Sequence, residues 1–149
     1  TGRIILDAIR GRIPAYVDTG LNIVHVHDVA EGHRLAFERG KIGERYILGG
    51  KNMSLIEILN ELAAIAGHTP PRFRMPHSAA AVVACISEAC SKISGGGEPR
   101  VTRDGVKMAR KHMFFTSKKA RQDLGYHPRP VKEGLSDAVT WFRRNGYCE

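Results

Sequence analysis

The sequence predicts an α/β protein with many helices and a few short strands. Apolar residues recur at helical spacing along most of the chain, most clearly in LIEILNELAAIA at residues 55–66. Only NIVHV at residues 22–26 and ERYILGG at residues 44–50 have the branched and aromatic residues typical of strands. Because so few strands do not form a stable sheet by themselves, we expect the chain to be part of a larger fold or to pack against a partner surface.

Two capping patterns predict where helices begin. Ser54 and Glu57 precede the apolar stripe of residues 55–66 with the spacing of a capping box, in which the two residues bond each other's backbone N–H groups. Asp28 and Glu31 repeat that spacing directly after NIVHV. They predict a second capped helix, which should end at about Arg39.

The remaining elements follow from helical spacing and from the placement of glycine and proline. Further helices are predicted at residues 4–9, 78–92, 101–110, 117–124 and 131–145. The helix at 78–92 is rich in alanine, which would allow close packing against a neighbour. Short extended segments are predicted at PAYVDTG, residues 14–20, and PPRFRMP, residues 70–76. SGGGEP, residues 94–99, lacks the ending of a phosphate-binding loop and is predicted to be a linker.

The composition fits one water-soluble domain with an apolar core, since 42% of the 149 residues are hydrophobic and 26% are charged. Cys85, Cys90 and Cys148 form no CxxC pair, which favours a reduced, cytoplasmic setting. No basic and apolar leader opens the chain, and its longest apolar run is too short to span a bilayer. We therefore expect neither secretion nor a membrane partner.

The formal net charge of +8 requires an explanation, because a cationic surface attracts polyanions. Arg100, Arg103, Lys107 and Arg110 are spaced three or four apart and would form one basic stripe on a helix. The stripe fits a stand-alone module that binds nucleic acid or another polyanion. A solvated helix face explains the stripe more simply, because no interleaved aromatic residues or binding motif favour nucleic acid.

NIVHVHDVAEGH, residues 22–33, is dense in histidines and acids and is the first place to look for chemistry. His25 and His27 would share one face of a strand, as a metal site requires. His33 is predicted to lie half-buried with Val29 and Phe37 on the following helix, away from that pair. We therefore predict no metal site. Asp28 could serve as a general acid or base, but a capping role already accounts for it.

No complete active site is visible in the sequence. It contains no GxSxG, no cysteine in an activating pattern, and no GxGxxG after a strand. We predict no catalytic and no cofactor-binding residues in this chain.

Three motifs resemble the extended short-chain dehydrogenases/reductases, the NAD-dependent epimerase/dehydratase family. VHVHDVAEGH, residues 24–33, resembles the family motif [IV]HVxD[VL]AxGH. ERYILGG is similar to the strand that follows that helix in the family, and residues 117–147 are similar to its C-terminal signature with SKKA, LGY and a final helix bearing Trp-Phe. GRIPAYVDTGLNIVHV and KMARKHMFFTSKKA most resemble the hopanoid-associated sugar epimerases and dihydroflavonol-4-reductase-like proteins.

The resemblance implies that residues 1–149 are the C-terminal part of a Rossmann-type enzyme. They would comprise the substrate-binding region, with the strand and helix that return to the Rossmann sheet. The N-terminal domain, with its GxxGxxG turn for NAD or NADP and its catalytic Tyr-x-x-x-Lys, would be missing, since neither motif occurs here. The chain alone should bind no dinucleotide and be inactive. Expected partners are that domain and a small-molecule substrate, and family members commonly form homodimers; a non-catalytic NAD(P)-linked regulator is the alternative.

The resemblance also bears on the substrate. Nucleotide-sugar members of the family often carry Arg-Asp-aromatic before [IV]HV, and the arginine reaches the substrate pyrophosphate. Here those positions are Leu21, Asn22 and Ile23, so a nucleotide-diphosphate sugar is disfavoured and a less anionic carbonyl or alcohol is favoured. The family's substrate-lining segment matches Pro14, Ala15, Tyr16 and Val17, which we predict as substrate contacts. The alternative is that Tyr16 simply packs at a sheet edge.

Overall fold

The computed structural model describes residues 2–93 and 102–148. Within them lie seven helices and four short strands. The helices are α1 Gly2–Ile9, α2 Val26–Arg39, α3 Leu55–Ala66, α4 His77–Ile93, α5 Arg103–Ala109, α6 Lys118–Leu124 and α7 Val131–Arg144. The strands are β1 Ala15–Val17, β2 Gly20–Ile23, β3 Lys51–Ser54 and β4 Phe73–Met75. The predicted class, helix-rich with few short strands, is confirmed. The predicted linker at 94–99 and Arg100 lie outside the described residues.

The strands form two small sheets. β1 pairs with β4 in parallel, and β2 pairs with β3 in antiparallel register, with Leu21 opposite Met53. A single parallel bridge joins Leu21 to Met113 at the free edge of β2. The extended segments predicted around β1 and β4 are thereby confirmed.

Two strand predictions were wrong. NIVHV was expected to be a strand throughout, but β2 ends at Ile23 and His25 already caps α2. ERYILGG belongs to neither sheet in the described chain. A strand needs a hydrogen-bonded neighbour, and this segment instead packs Tyr46 and Leu48 against a cluster around Leu35.

The largest core cluster joins α1, α3 and α7 to β3. Its members are Ile9, Met53, Ile58, Leu62, Leu135 and Val139. The apolar stripe predicted for α3 is confirmed, since Ile58, Leu59 and Leu62 are at most 3% exposed. Two smaller clusters lie between α2 and α6, and between α4, α5 and the sheet of β1 and β4.

The capping predictions had opposite outcomes. At α3 the Ser54–Glu57 box is present, with Ser54 N donating to Glu57 Oε2 at 2.7 Å. At α2 the cap is His25, whose Nδ1 accepts from His27 N at 3.1 Å, so the predicted Asp28–Glu31 box was wrong. Asp28 lies inside the first turn and is directed into the protein, where it binds another segment.

No helix among the described residues is long and apolar enough to cross a bilayer.

Candidate substrate site

A cavity of about 650 Å³ opens beside β2, between α1, α7 and the start of α2. Its wall is mainly apolar and includes Ile4, Leu21, Ile23, Ile58, Leu135 and Trp141. A volume of this size falls within the range of roughly 300–1,000 Å³ that small-molecule sites occupy. The cavity is therefore large enough to hold a small organic molecule.

One corner of the cavity is polar and is formed by His25, Asp137 and Arg129. His25 Nδ1 accepts a hydrogen bond from His27 N, so the ring proton lies on Nε2, which donates to Asp137 Oδ2 at 3.1 Å. The His25 side chain is only 7% exposed. Because both ring nitrogens are engaged within the protein, His25 is a fixed part of the cavity wall.

Asp28 lies behind this corner and is also fully engaged. It is 6% exposed, and its two carboxylate oxygens accept from the backbone N and the Nε of Arg129. This arrangement fits a structural ion pair and leaves no acceptor aimed at the cavity. The sequence correctly favoured a structural role for Asp28 but assigned the wrong partner.

The histidines of residues 22–33 do not converge. Among the residues that the structure describes, no group of three potential ligands could hold a metal ion. His33 is exposed and Phe37 beside it is 93% exposed, so the predicted half-buried position of His33 was wrong. The buried stripe of α2 instead consists of Asp28, Gly32 and Leu35, which follow one another at helical spacing.

Leu21, the residue that stands where an arginine was considered, lies on the cavity wall and packs against the main core cluster. The side chain of its neighbour Asn22 is hydrogen-bonded within the protein. Its Oδ1 accepts from Gly50 N at 2.9 Å, and its Nδ2 donates to Asn52 Oδ1 at 2.6 Å. Neither position therefore presents a cationic donor. This part of the wall cannot form the forked hydrogen bonds with which arginine binds a diphosphate.

The predicted contact segment lies one strand away from the cavity. Pro14 is exposed ahead of β1, and Ala15, Tyr16 and Val17 form β1 itself. Val17 packs on the cluster between α4 and α5, and Tyr16 is half-buried opposite Arg74 of β4. None of the four is among the described residues that line the cavity, and their role as substrate contacts stays a prediction.

Sequence reasoning missed the segment that follows α5. Met113 N donates to Gly20 O at 2.8 Å, and the Asn52 side chain bonds both the N and the O of Phe115 at 3.1 Å. Phe114 lies so close over Gly20 that a Cβ there would be 2.4 Å from its ring. Residues 113–115 thus extend the sheet at the edge of β2. The sequence did not indicate this contact, because the segments on either side have helical patterns.

The junction between β2 and α2 differs from a dinucleotide-binding turn. β2 leads into α2 through Val24 and His25, and the glycines that let a pyrophosphate approach a helix N-terminus are missing at this junction. His25 itself caps the helix.

Comparison with known proteins confirms the resemblance to the extended short-chain dehydrogenases/reductases, and the chain matches the C-terminal part of these relatives. No protein-family model matches the chain. The chain is, however, homologous over its whole length to a protein of Synechocystis sp. that bears the provisional name dihydroflavonol 4-reductase. The two are 44% identical over 155 residues, which cover 100% of this chain and 44% of the relative.

Solved structures agree. The crystal structure of gox2253 is 51% identical, with a TM-score of 0.78, and the match covers 99% of this chain and 44% of that one. A nucleoside-diphosphate-sugar epimerase from Pseudomonas aeruginosa is 28% identical, with a TM-score of 0.72 and coverage of 99% and 43%. More distant solved structures with bound NAD share the fold.

The chain spans less than half the length of these relatives and corresponds to their C-terminal part. It is therefore related to NAD(P)-dependent epimerases and reductases. These relatives do not favour the stand-alone polyanion-binding module.

Proposed function

We propose that this chain is the C-terminal, substrate-binding portion of an NAD(P)-dependent reductase or epimerase, which transfers a hydride at a carbonyl or alcohol carbon. NAD or NADP would be held by a preceding portion, which would also carry the catalytic residues. The chain's own residues would bind and orient the substrate and keep water from one side of it.

The surface around the ERYILGG segment supports a missing partner domain. The segment belongs to neither sheet of the described chain, and Ile47 within it is 49% exposed. Phe37 and Ile42 nearby in the chain are 93% and 105% exposed. Several exposed large apolar residues close together in the chain are typical of a surface that another part of the protein covers. We assign that role to the dinucleotide-binding portion.

The single observation that carries the substrate class is Leu21. Its side chain places methyl groups on the cavity wall where nucleotide-sugar enzymes of this family often carry a phosphate-binding arginine. The polar corner of the same cavity is engaged within the protein, since the Nε2–H of His25 donates to Asp137 and the Nε of Arg129 donates to Asp28. This combination suits an uncharged ketone or alcohol on an apolar skeleton better than a nucleotide diphosphate.

Steady-state kinetics on the whole protein test the substrate class. We expect kcat/KM with NADPH or NADH to be higher for uncharged cyclic ketones than for UDP- and dTDP-sugars. Leu21→Arg should lower kcat/KM for the ketones about tenfold or more, since it places a charge in an apolar wall. Asn60→Arg, on the exposed side of α3, is the matched control and should change little.

Faster turnover of a nucleotide-diphosphate sugar than of every ketone would overturn the proposed substrate class. Equal kcat/KM for ketones in the wild type and in a folded Leu21→Arg variant would show that the cavity beside β2 is not the substrate site.

Calorimetry tests which of the two portions of the protein binds the dinucleotide. The 149-residue chain should show no heat of binding with NADH or NADPH, whereas the whole protein should bind one of them. Micromolar affinity of the chain for either dinucleotide would contradict the proposed boundary.

A further inference from the structure

We propose that α4 is a membrane-contacting helix whose outward face lies on an anionic lipid surface. The inward face of α4 is explained by packing, because Ala80 and Ala84 are 3% and 0% exposed and contact Val106 of α5. The close packing predicted from its alanines is therefore present on this side. On the opposite face, the described side chains of Val82, Val83 and Ile86 are exposed.

Among the described side chains of α4, that outward face is apolar. Val82, Val83 and Ile86 are 61%, 42% and 59% exposed, and Ala79 and Ala89 are exposed on the same side. The only charged side chain described on α4 is Glu88, which faces α5 and accepts from Arg103 N at 2.7 Å. A solvent-facing helix normally carries charges on its outer side, so a contiguous apolar face of this kind indicates an interaction surface.

The positive charge beside this face indicates the kind of surface that it binds. Arg103 and Lys107 of α5 and Arg110 at its C-terminal end border one surface depression together with Ala81 and Cys85 of α4, and these three cations outnumber the two acids there, Glu88 and Asp104. The apolar face is thus flanked along one edge by a basic rim. An apolar helix face with adjacent lysine and arginine is the arrangement that binds anionic membrane surfaces. A second copy of the chain fits less well, because twofold pairing of the α4 faces would bring two basic rims together.

This binding mode differs from membrane spanning. The expectation of no membrane partner considered only segments long enough to cross a bilayer, and none of the described helices is. A helix that lies in the interface needs only one apolar face and can be much shorter. The proposal is independent of the proposed catalytic function, since lipid binding is measured without turnover.

Vesicle co-sedimentation of the whole protein tests the proposal. We expect binding to vesicles of phosphatidylcholine with phosphatidylglycerol, weak binding to phosphatidylcholine alone, and a loss of binding at about 0.5 M NaCl. Val82→Glu with Ile86→Glu should lower the partition coefficient about tenfold or more, because two apolar side chains no longer enter the interface. Lys107→Gln with Arg110→Gln should reduce binding about tenfold on anionic vesicles only.

The control places the same two charges elsewhere, as Ala64→Glu on α3 and Thr140→Glu on α7, both exposed positions. It should bind vesicles nearly as well as the wild type. Val82→Ser with Ile86→Ser provides a milder test if the acidic variant does not fold, as judged by circular dichroism. Unchanged vesicle binding in either folded α4 variant would refute the proposal. So would sedimentation showing a wild-type dimer that these variants convert to monomers, since a second copy would then cover the face.

Discussion

Asp28 and Arg129 are joined by two hydrogen bonds although they lie 101 positions apart in the chain. Asp28 Oδ2 accepts from the backbone N of Arg129 at 2.9 Å, and Oδ1 accepts from its Nε at 2.8 Å. The pair fixes the first turn of α2 to the segment between α6 and α7. Both elements border the cavity, so this pair positions one of its walls.

Asp28→Ala should lower the free energy of unfolding by about 2–3 kcal/mol. The substitution leaves the backbone N–H of Arg129 without a hydrogen-bond acceptor, and it removes a charge-assisted pair that water screens only in part. Urea denaturation provides the measurement. Glu31→Ala, which removes an exposed ion pair with Arg34, is the matched control and should change the free energy of unfolding little, because water screens that pair. A loss of the same small size for Asp28→Ala would show that the pair contributes little.

The contrast between α3 and Asp28 shows what the sequence could and could not predict. The stripe and capping box of α3 were predicted because every interaction involved lies within one helical turn or along one face. The partner of Asp28 was not, because contact between residues 28 and 129 depends on how distant elements pack. The prediction of a strand at ERYILGG was wrong for a related reason. Its composition suits a strand, but the described chain provides no neighbouring strand for it to pair with.

The candidate site shows the same limit. Leu21 could be singled out from the sequence because a family motif gave its position a meaning. The cavity and the contact of Phe114 with Gly20 arise where segments remote in sequence meet, and no local period indicates them.

The Ser54–Glu57 box predicts a pH dependence of stability. Hydrogen bonds from the Ser54 side chain and backbone lower the pKa of Glu57 below its ordinary value of 4.5. A carboxyl whose pKa falls on folding stabilises the protein above that ordinary value, and its contribution is lost as the pH falls through the folded pKa. Unfolding measured across this acid range should show a steeper loss for the wild type than for Glu57→Gln. Parallel curves for the two proteins would contradict this assignment.

Ser54→Ala tests the other half of the same box. It should cost about 1 kcal/mol, the usual value for loss of an N-cap. Thr102→Ala removes the cap of the shorter α5, where Thr102 Oγ1 accepts from Gly105 N, and allows comparison of two caps in one denaturation series. A Ser54→Ala variant as stable as the wild type would indicate that water replaces the cap.

Gly50 and Gly20 should respond differently to a methyl group. A Cβ at Gly50 would lie 2.2 Å from the carbonyl oxygen of Ile23, which belongs to the backbone and cannot rotate away. Gly50→Ala should therefore cost about 2–3 kcal/mol or more through overpacking. At Gly20 the close atoms are the outer edge of the half-exposed Phe114 ring, which can move.

Gly20→Ala should accordingly cost less than Gly50→Ala, and adding Phe114→Ala should recover part of that loss. Thermal denaturation of the two single variants and the double variant provides the comparison. An equal loss in both single variants, with no recovery in the double variant, would disprove the assigned contacts.

Tyr126 gives a test in which removing a polar group does no harm. The residue is 1% exposed, and its hydroxyl has no hydrogen-bond partner within the described chain. Burial, followed by the nearby charge of Asp28, raises the pKa of Tyr126 above its ordinary value of 10.0. Tyr126→Phe should therefore be as stable as the wild type or more stable by up to about 1 kcal/mol, because an unpaired buried hydroxyl is removed. Tyr126→Ala should instead lose about 3–5 kcal/mol by leaving a cavity.

The raised pKa of Tyr126 adds a signature at alkaline pH. A tyrosine whose pKa rises on folding contributes stability below the unfolded value, and that contribution is lost as the pH rises through the folded pKa. Wild-type stability should therefore fall above pH 10.0, the ordinary value, more steeply than that of Tyr126→Phe. Denaturant titrations at a series of alkaline pH values measure the difference. A Tyr126→Phe variant that is clearly less stable at neutral pH would show instead that the hydroxyl is bonded in solution.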